Sequence, residues 1–172
     1  TQAFAEPLTD ERMFAWHAAF FPLGYSDGYK ITVANWRLGD EPMQVVSGPM
    51  GKQKVHFEAP PSDAVPMMME QFIKWVNTDA KTDPIIRAAM AHLWFVTVHP
   101  FDDGNGRMAR IITEMMLARA DKTAKRFYSL SAQIMRRKKD YYDALEQAQK
   151  GLIDITQWLM WFIEALREAL EQ

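Results

Sequence analysis

Cysteine is absent from the 172 residues, which excludes a disulfide framework, a thiolate nucleophile and a Cys-ligated zinc, and fits a reducing compartment. No charge of one sign dominates either. Lys and Arg number 20 against 22 Asp and Glu, a formal net charge of -2, so nucleic acid is not an expected partner. Long apolar runs are also missing: the most apolar stretch, Ala88 to Val98, is interrupted by His92 and falls well short of the ~20 residues that span a bilayer. With no signal peptide visible, no membrane is expected and the cytoplasm is the expected location. There is no internal repeat. The 8 glycines and 9 prolines concentrate between about Phe21 and Pro66, which leaves most of the remainder to helical patterns.

What is present is a hydrophobic fraction of 48%, suited to one globular domain over residues 1–172 with a sizeable core. The fold is read as mainly α. Thr9 with Asp10 and Glu11 caps a helix near 9–20 that carries Met13, Trp16 and Phe20 at helical spacing. Lys30 to Trp36, Gln44 to Ser47 and Lys54 to Phe57 carry β-branched residues between Gly and Pro, as short strands or a hairpin would. Ser62 or Asp63 is expected to cap a helix to about Asn77, and Asp83-Pro84 another to about Val98. Helical stretches flank 126–131. A last helix, capped near Asp154, presents Ile155, Trp158, Leu159, Phe162, Leu166 and Leu170 as a stripe that belongs to core packing, like Met67-Met68-Met69 and Trp94-Phe95. His17 and His92 lie within apolar helical patterns and read as satisfied core histidines, whereas His56 falls on a strand from which it could reach a substrate or simply stand exposed.

The segment from His99 to Arg110 puts a base, a carboxylate, a Gly-rich turn and two arginines within twelve residues. Pro100 disfavours helical backbone at His99 and so leaves the imidazole at a helix end. Gly104-Asn105-Gly106 allows backbone N–H groups to converge where the next helix begins, an anion site. Arg107 and Arg110 share a helix face and can both reach a polyphosphate. Asp103 beside that anion calls for a divalent cation between them, Mg²⁺ by preference. Taken singly, each residue also fits a polar interhelix turn with solvated arginines. Taken together they point to chemistry, and neither the G-x-x-x-x-G-K-[ST] loop nor the three-glycine dinucleotide fingerprint is present.

The string His99-Pro-Phe-Asp-Asp-Gly-Asn-Gly-Arg-Met-Ala-Arg110 resembles the Fic (filamentation induced by cAMP) signature HxFx[DE]GNGRxxR at every defined position. The stretch ending in Glu58-Ala-Pro-Pro61 is similar to the family's flap, and Tyr141-Tyr142-x-Ala-Leu145 to its nucleoside-side helix, so the resemblance covers about residues 8 to 165. It implies a helical bundle with a small β-hairpin flap that binds ATP with Mg²⁺ and transfers AMP to a Tyr, Ser or Thr hydroxyl of a protein, itself included. By that resemblance His99 is the general base and Phe101 an apolar anchor. Asp103 holds Mg²⁺, Gly104, Asn105 and Gly106 line the anion hole with the Asn105 amide at the α-phosphate, Arg107 pairs with the β- and γ-phosphates and Arg110 with the γ-phosphate. Tyr142 and Gln149 are candidates for the ribose or adenine side. The intact GNGR string favours the AMP-transferring branch over phosphorylating or phosphocholine-transferring members.

No [ST]-x-x-x-E-[GN] inhibitory motif occurs in the sequence. With Thr1 in place of an initiator Met, the chain is expected to be a fragment lacking an upstream regulatory segment, the alternatives being a helix that arrives from a partner or none in this member, and its activity is expected to need no activator. Alternatives are removal of AMP from modified proteins and a noncatalytic module that binds peptides by strand addition. Homo-oligomerisation stays open.

Overall fold

The computed structural model describes residues 3–39, 42–47, 54–151 and 154–171. The ends of the expected 1–172 domain, and the residues joining the second and third expected strands, lie outside them. Seven α-helices are found among the described residues: α1 (Asp10–Phe20), α2 (Val65–Thr78), α3 (Pro84–Val98), α4 (Asn105–Asp121), α5 (Leu130–Arg136), α6 (Lys138–Lys150) and α7 (Thr156–Leu170). No described helix is long and apolar enough to cross a membrane.

Helix α3 is the centre of the bundle, which explains why its sequence is apolar all round. Ala88, Ala89, Ala91, Leu93, Phe95, Val96 and Val98 are buried on it, and α2, α4 and α7 pack around it. Asp83 starts this helix as expected, accepting from Ile85 and Ile86 N–H at 2.9 and 3.2 Å, with Pro84 at the first position. Thr9 likewise caps α1 through Arg12 N–H at 3.2 Å. On α7 the stripe is buried at Trp158, Trp161, Phe162, Ala165, Leu166 and Ala169, and Trp158 Nε1 donates to Ala89 O at 2.8 Å. Leu170 departs from the expected stripe and stands 61% exposed as the last residue of α7, while Ala169 beside it is buried.

Three boundaries differ from the sequence reading. Ser62 and Asp63 form a 3₁₀ turn (Ser62–Ala64) that leads into α2, whose N-cap Ala64 has no side-chain oxygen to offer. Asp154 accepts from Thr156 N–H at 2.9 Å one residue ahead of the N-cap Ile155. Residues 31–36 are not a strand. The pairing stops at β2 (Tyr29–Lys30), which faces β1 (Tyr25–Ser26) across Asp27-Gly28, where positive φ of 46° and 84° marks a type I′ turn. Beyond it the backbone turns left-handed at Ala34 (φ 55°) and bonds to the motif loop instead of to a strand. Strands β3 (Gln44–Ser47) and β4 (Lys54–Glu58) form the expected antiparallel pair, with an irregularity between Val45 and Val46.

Both core histidines are fully buried and satisfied. Thr113 donates its hydroxyl to Ala109 O, so it accepts from His92 Nδ1–H at 2.8 Å, and His92 Nε2 then accepts from the Tyr141 hydroxyl at 2.9 Å. This neutral relay ties α3 to α4 and α6. Burial, with Arg110 nearby, pushes the His92 pKa down to about 3. The unfolded chain takes a proton on His92 near pH 6.5 and the folded chain does not until about 3, so stability falls as pH drops through that window, by up to about 1.4 kcal/mol per pH unit. Urea unfolding at several pH values should show His92→Phe with a shallower decline between pH 6.5 and 5, whatever its absolute stability.

Candidate active site

The motif occupies the joint between α3 and α4. His99 is the C-cap of α3 in left-handed backbone (φ 52°, ψ 58°), a conformation that disfavours a residue with a Cβ by about 1–2 kcal/mol and so must be held by its surroundings. Its carbonyl accepts from Arg37 Nε at 2.8 Å, and the next carbonyl, Pro100 O, accepts from Arg37 N–H at 2.8 Å. His99 Nδ1 lies 3.1 Å from Val96 O. A carbonyl only accepts, so Nδ1 carries the proton and Nε2 keeps its lone pair. Burial draws the imidazole below its ordinary pKa of 6.5; the Val96 carbonyl opposes this, Arg37 adds to it and Asp103 opposes it. His99 is therefore a neutral base at neutral pH.

Phe101 is fully buried, stacked on His17 at 4.1 Å and edged by Trp36, Phe14 and Phe95. The Asn105 side chain, 2% exposed, accepts from Phe101 N–H at 2.9 Å and donates to Phe101 O at 2.8 Å. Its carboxamide is thus engaged in closing the loop, and what Asn105 can present to an anion is its backbone N–H. That group and those of Gly106 and Arg107 begin α4 ahead of the first intrahelical bond, from Met108 N–H to Gly104 O. Asp103 accepts from Gly104 N–H at 2.5 Å through Oδ1 and from the Ser26 hydroxyl through Oδ2. Among the described residues no group of three or more His, Cys, Asp or Glu could hold a metal ion.

Two hollows adjoin the motif. A cleft of about 130 Å³ between the β3–β4 hairpin and α6 is lined by His99, Gly106, Arg110, Tyr142 and Gln149, which brings five of the sequence candidates together. A larger cavity of about 680 Å³ between α1 and α4 is lined by Arg107, Arg110, Arg12, Arg126, Trp16 and Phe20 among others. Arg110 borders both. Arg107 borders only the second, its guanidinium over the rings of Phe20 and Phe21 at 4.7 and 4.5 Å. Asp103 and Gly104 line neither. Gln149 donates to Thr97 Oγ1 at 3.3 Å, and Tyr142 is 44% exposed.

Sequence reasoning singled out His17 and His56 but not the contacts they make here, and it passed over Ser26, Thr32 and Glu146. Thr32 N–H donates to Asp102 Oδ2 at 2.7 Å, and His17 accepts from Ala34 N–H at 3.3 Å while its Nε2 donates to Asp103 O at 3.0 Å. Burial chiefly lowers the His17 pKa, which keeps that tautomer neutral. His56 on β4 meets Glu146 on α6 at 2.6 Å, both lining the smaller cleft. Only the β1–β2 hairpin that brings in Ser26 had a local signal, the Asp27-Gly28 pair; the others meet across the fold.

The chain can now be set beside known proteins. A family model described as Fic/DOC family matches residues 7–117. A probable protein adenylyltransferase of Aquifex aeolicus is 28% identical over 103 residues, 60% of this chain and 30% of that protein. Protein adenylyltransferase Fic of Culex quinquefasciatus is 32% identical over 118 residues, 67% of this chain and 22% of that protein. The chain thus spans less than a third of either relative. Among solved structures, a Fic family protein from Desulfovibrio desulfuricans G20 superposes with a TM-score of 0.75 at 27% identity, over 95% of this chain and 46% of that one. A Fic domain containing signaling protein from Bacteroides thetaiotaomicron shares the fold, with a TM-score of 0.70 at 21% identity over 99% and 65%.

The two motif glycines should respond in opposite ways to alanine. At Gly104 the backbone has φ 83° and an added Cβ would meet the Phe21 ring at 2.9 Å, so Gly104→Ala should lower the free energy of unfolding by about 1–3 kcal/mol. Gly106 is helical with nothing within 4 Å of an added Cβ, so Gly106→Ala should leave stability unchanged or raise it by up to about 1 kcal/mol. Urea unfolding of both variants checks this.

Proposed function

The chain belongs to the Fic/DOC family, and from that premise we propose that it transfers AMP from ATP to the hydroxyl of a Tyr, Ser or Thr on a protein. The observation that carries the reading is the His99 tautomer, with Nδ1–H on Val96 O and the Nε2 lone pair on a residue that lines a cleft beside the start of α4. The target oxygen attacks the α-phosphorus while Nε2 takes the hydroxyl proton; the bond from that phosphorus to the bridging oxygen breaks, and pyrophosphate leaves with the electron pair. The backbone N–H groups at the start of α4 stabilise charge that grows on the α-phosphate oxygens. Arg110 and Arg107 hold the leaving phosphates, and α6 offers Tyr142 and Gln149 to the nucleoside.

The Asp103 carboxylate suits Mg²⁺, which commonly takes one or two protein carboxylates and leaves its other positions to phosphate and water. When bound there the ion would neutralise phosphate charge. The remaining work belongs to the chain: the Ser26 hydroxyl and Gly104 N–H orient Asp103, and α4 presents its N–H groups without rearrangement.

His99→Ala should lower transfer of α-labelled AMP into protein by about 10²–10⁴-fold and leave ATP affinity, measured by calorimetry, within about threefold. Unchanged turnover would remove His99 from the mechanism. Because the neutral imidazole is the active form and burial lowers its pKa from 6.5, transfer should fall with acid along a limb whose midpoint lies below the pH 6.5 that an unperturbed imidazole would give. Gly106→Ala should weaken ATP binding although the fold tolerates it, since the added methyl enters the cleft.

A further inference from the structure

Arg37 is buried, 3% exposed, in a place where a guanidinium would ordinarily have a carboxylate partner. It has no salt bridge among the described residues. Its side chain instead donates to two main-chain carbonyls, His99 O through Nε at 2.8 Å and Pro60 O through Nη2, while its own N–H donates to Pro100 O. These acceptors belong to parts of the molecule that are far apart in sequence. His99 and Pro100 open the motif loop. Pro60 is the root of the β3–β4 hairpin: β4 ends at Glu58, and Ala59 N–H still reaches across to Met43 O at 2.8 Å.

A second tie holds the same hairpin. His56, midway along β4, bonds to Glu146 on α6 across the mouth of the cleft. The hairpin is therefore fixed at its root to the loop that carries His99 and along its strand to the helix that carries Tyr142 and Gln149. His99 needs such support, because its left-handed backbone is one that a residue with a Cβ seldom keeps unaided. The guanidinium holds its Nε–H and Nη2–H at a fixed spacing in one plane and so sets the two carbonyls relative to each other; a lysine ammonium has three donors, but they radiate from one nitrogen on a flexible stem and do not reproduce that spacing.

We propose that Arg37 is a positioning residue that joins the hairpin and the motif loop into one rigid unit, so that the orientation of His99 Nε2 depends on the hairpin being seated. The inference deepens the AMP-transfer reading, and its catalytic consequence rests on that reading. Arg37 is enclosed and lines neither hollow beside the motif, so it is not placed to meet nucleotide or target. Its loss therefore falls on the alignment of the base during reaction, and hence on kcat more than on ATP binding.

The test uses the 172-residue chain with Arg37→Lys, which keeps the charge but not the fork, and Arg37→Met, which keeps neither. With α-labelled ATP and proteins of a cell lysate as acceptors, both should lose about 10²-fold in kcat while KM for ATP moves less than about threefold. Amide exchange without nucleotide should accelerate together in residues 54–58 and 101–105 of both variants. An unchanged kcat, or exchange that accelerates in the hairpin alone or the loop alone, overturns the inference. So does failure of both variants to fold, since Arg37 would then serve the core at large. A wild-type chain that transfers no AMP defeats the functional reading only, and the joint exchange response still decides whether Arg37 couples the two elements.

Discussion

One carboxamide closes the loop on which the site is built. Asn105 offers its Oδ1 to the N–H and its Nδ2 to the carbonyl of Phe101, the same pair of bonds that a neighbouring strand would supply. Both polar groups are buried, so leaving either unpaired would carry a desolvation penalty of about 1–3 kcal/mol; joined, they satisfy each other and fix the span from residue 101 to 105. The consequences run both ways. Upstream, Phe101 is turned into the aromatic cluster of Phe14, His17, Trp36 and Phe95, which sets the loop on the core. Downstream, α4 starts at Asn105 itself, so the same side chain that shuts the loop also aims the open N–H groups of the helix.

Much of this was legible because it is local. Helix α3 announced itself by Asp83-Pro84 and by an apolar run that ends at His99-Pro100, and the motif loop lies where two such helices had to be joined. His92 and His17 as core histidines and the β3–β4 pair were readable on the same grounds, whereas Phe101 as anchor came through the resemblance to the Fic signature. What escaped was non-local. Residues 31–36 have β-branched content, and on propensity alone a strand is the right inference; their hydrogen-bonding groups go instead to Asp102 and His17, a choice made by tertiary contact. No periodicity marks Arg37 as the partner of His99, 62 positions away. The role of the Asn105 side chain was also invisible, since a Gly-Asn-Gly string suggests an amide free to meet a ligand.

The neighbourhood of the motif combines neutral imidazoles with permanent cations. His17, His92 and His99 all have pKa values lowered chiefly by burial, and each has its tautomer set by a neighbour that can only donate or only accept, or by a hydroxyl committed elsewhere. Positive charge near the loop is therefore carried by guanidinium groups. The neutral histidines add no charge to that field at rest, so a proton taken up by His99 would place a new positive charge in a region that the arginines already make positive.

The three arginines nearest the loop are held in three different ways, and the differences sort their capacities. Arg37 has its donors directed at carbonyls and is enclosed, so it can shape the loop but not meet a ligand. Arg107 lies with its faces against Phe20 and Phe21; stacking uses the faces of the guanidinium and leaves the in-plane N–H edges to donate. Arg110 has no ion-pair partner among the described residues and borders both hollows. Of these two arginines, one turn apart on α4, only Arg110 therefore lines the cleft that His99 lines, while Arg107 faces the larger cavity alone, so the three-residue spacing read in the sequence divides the two side chains between the hollows.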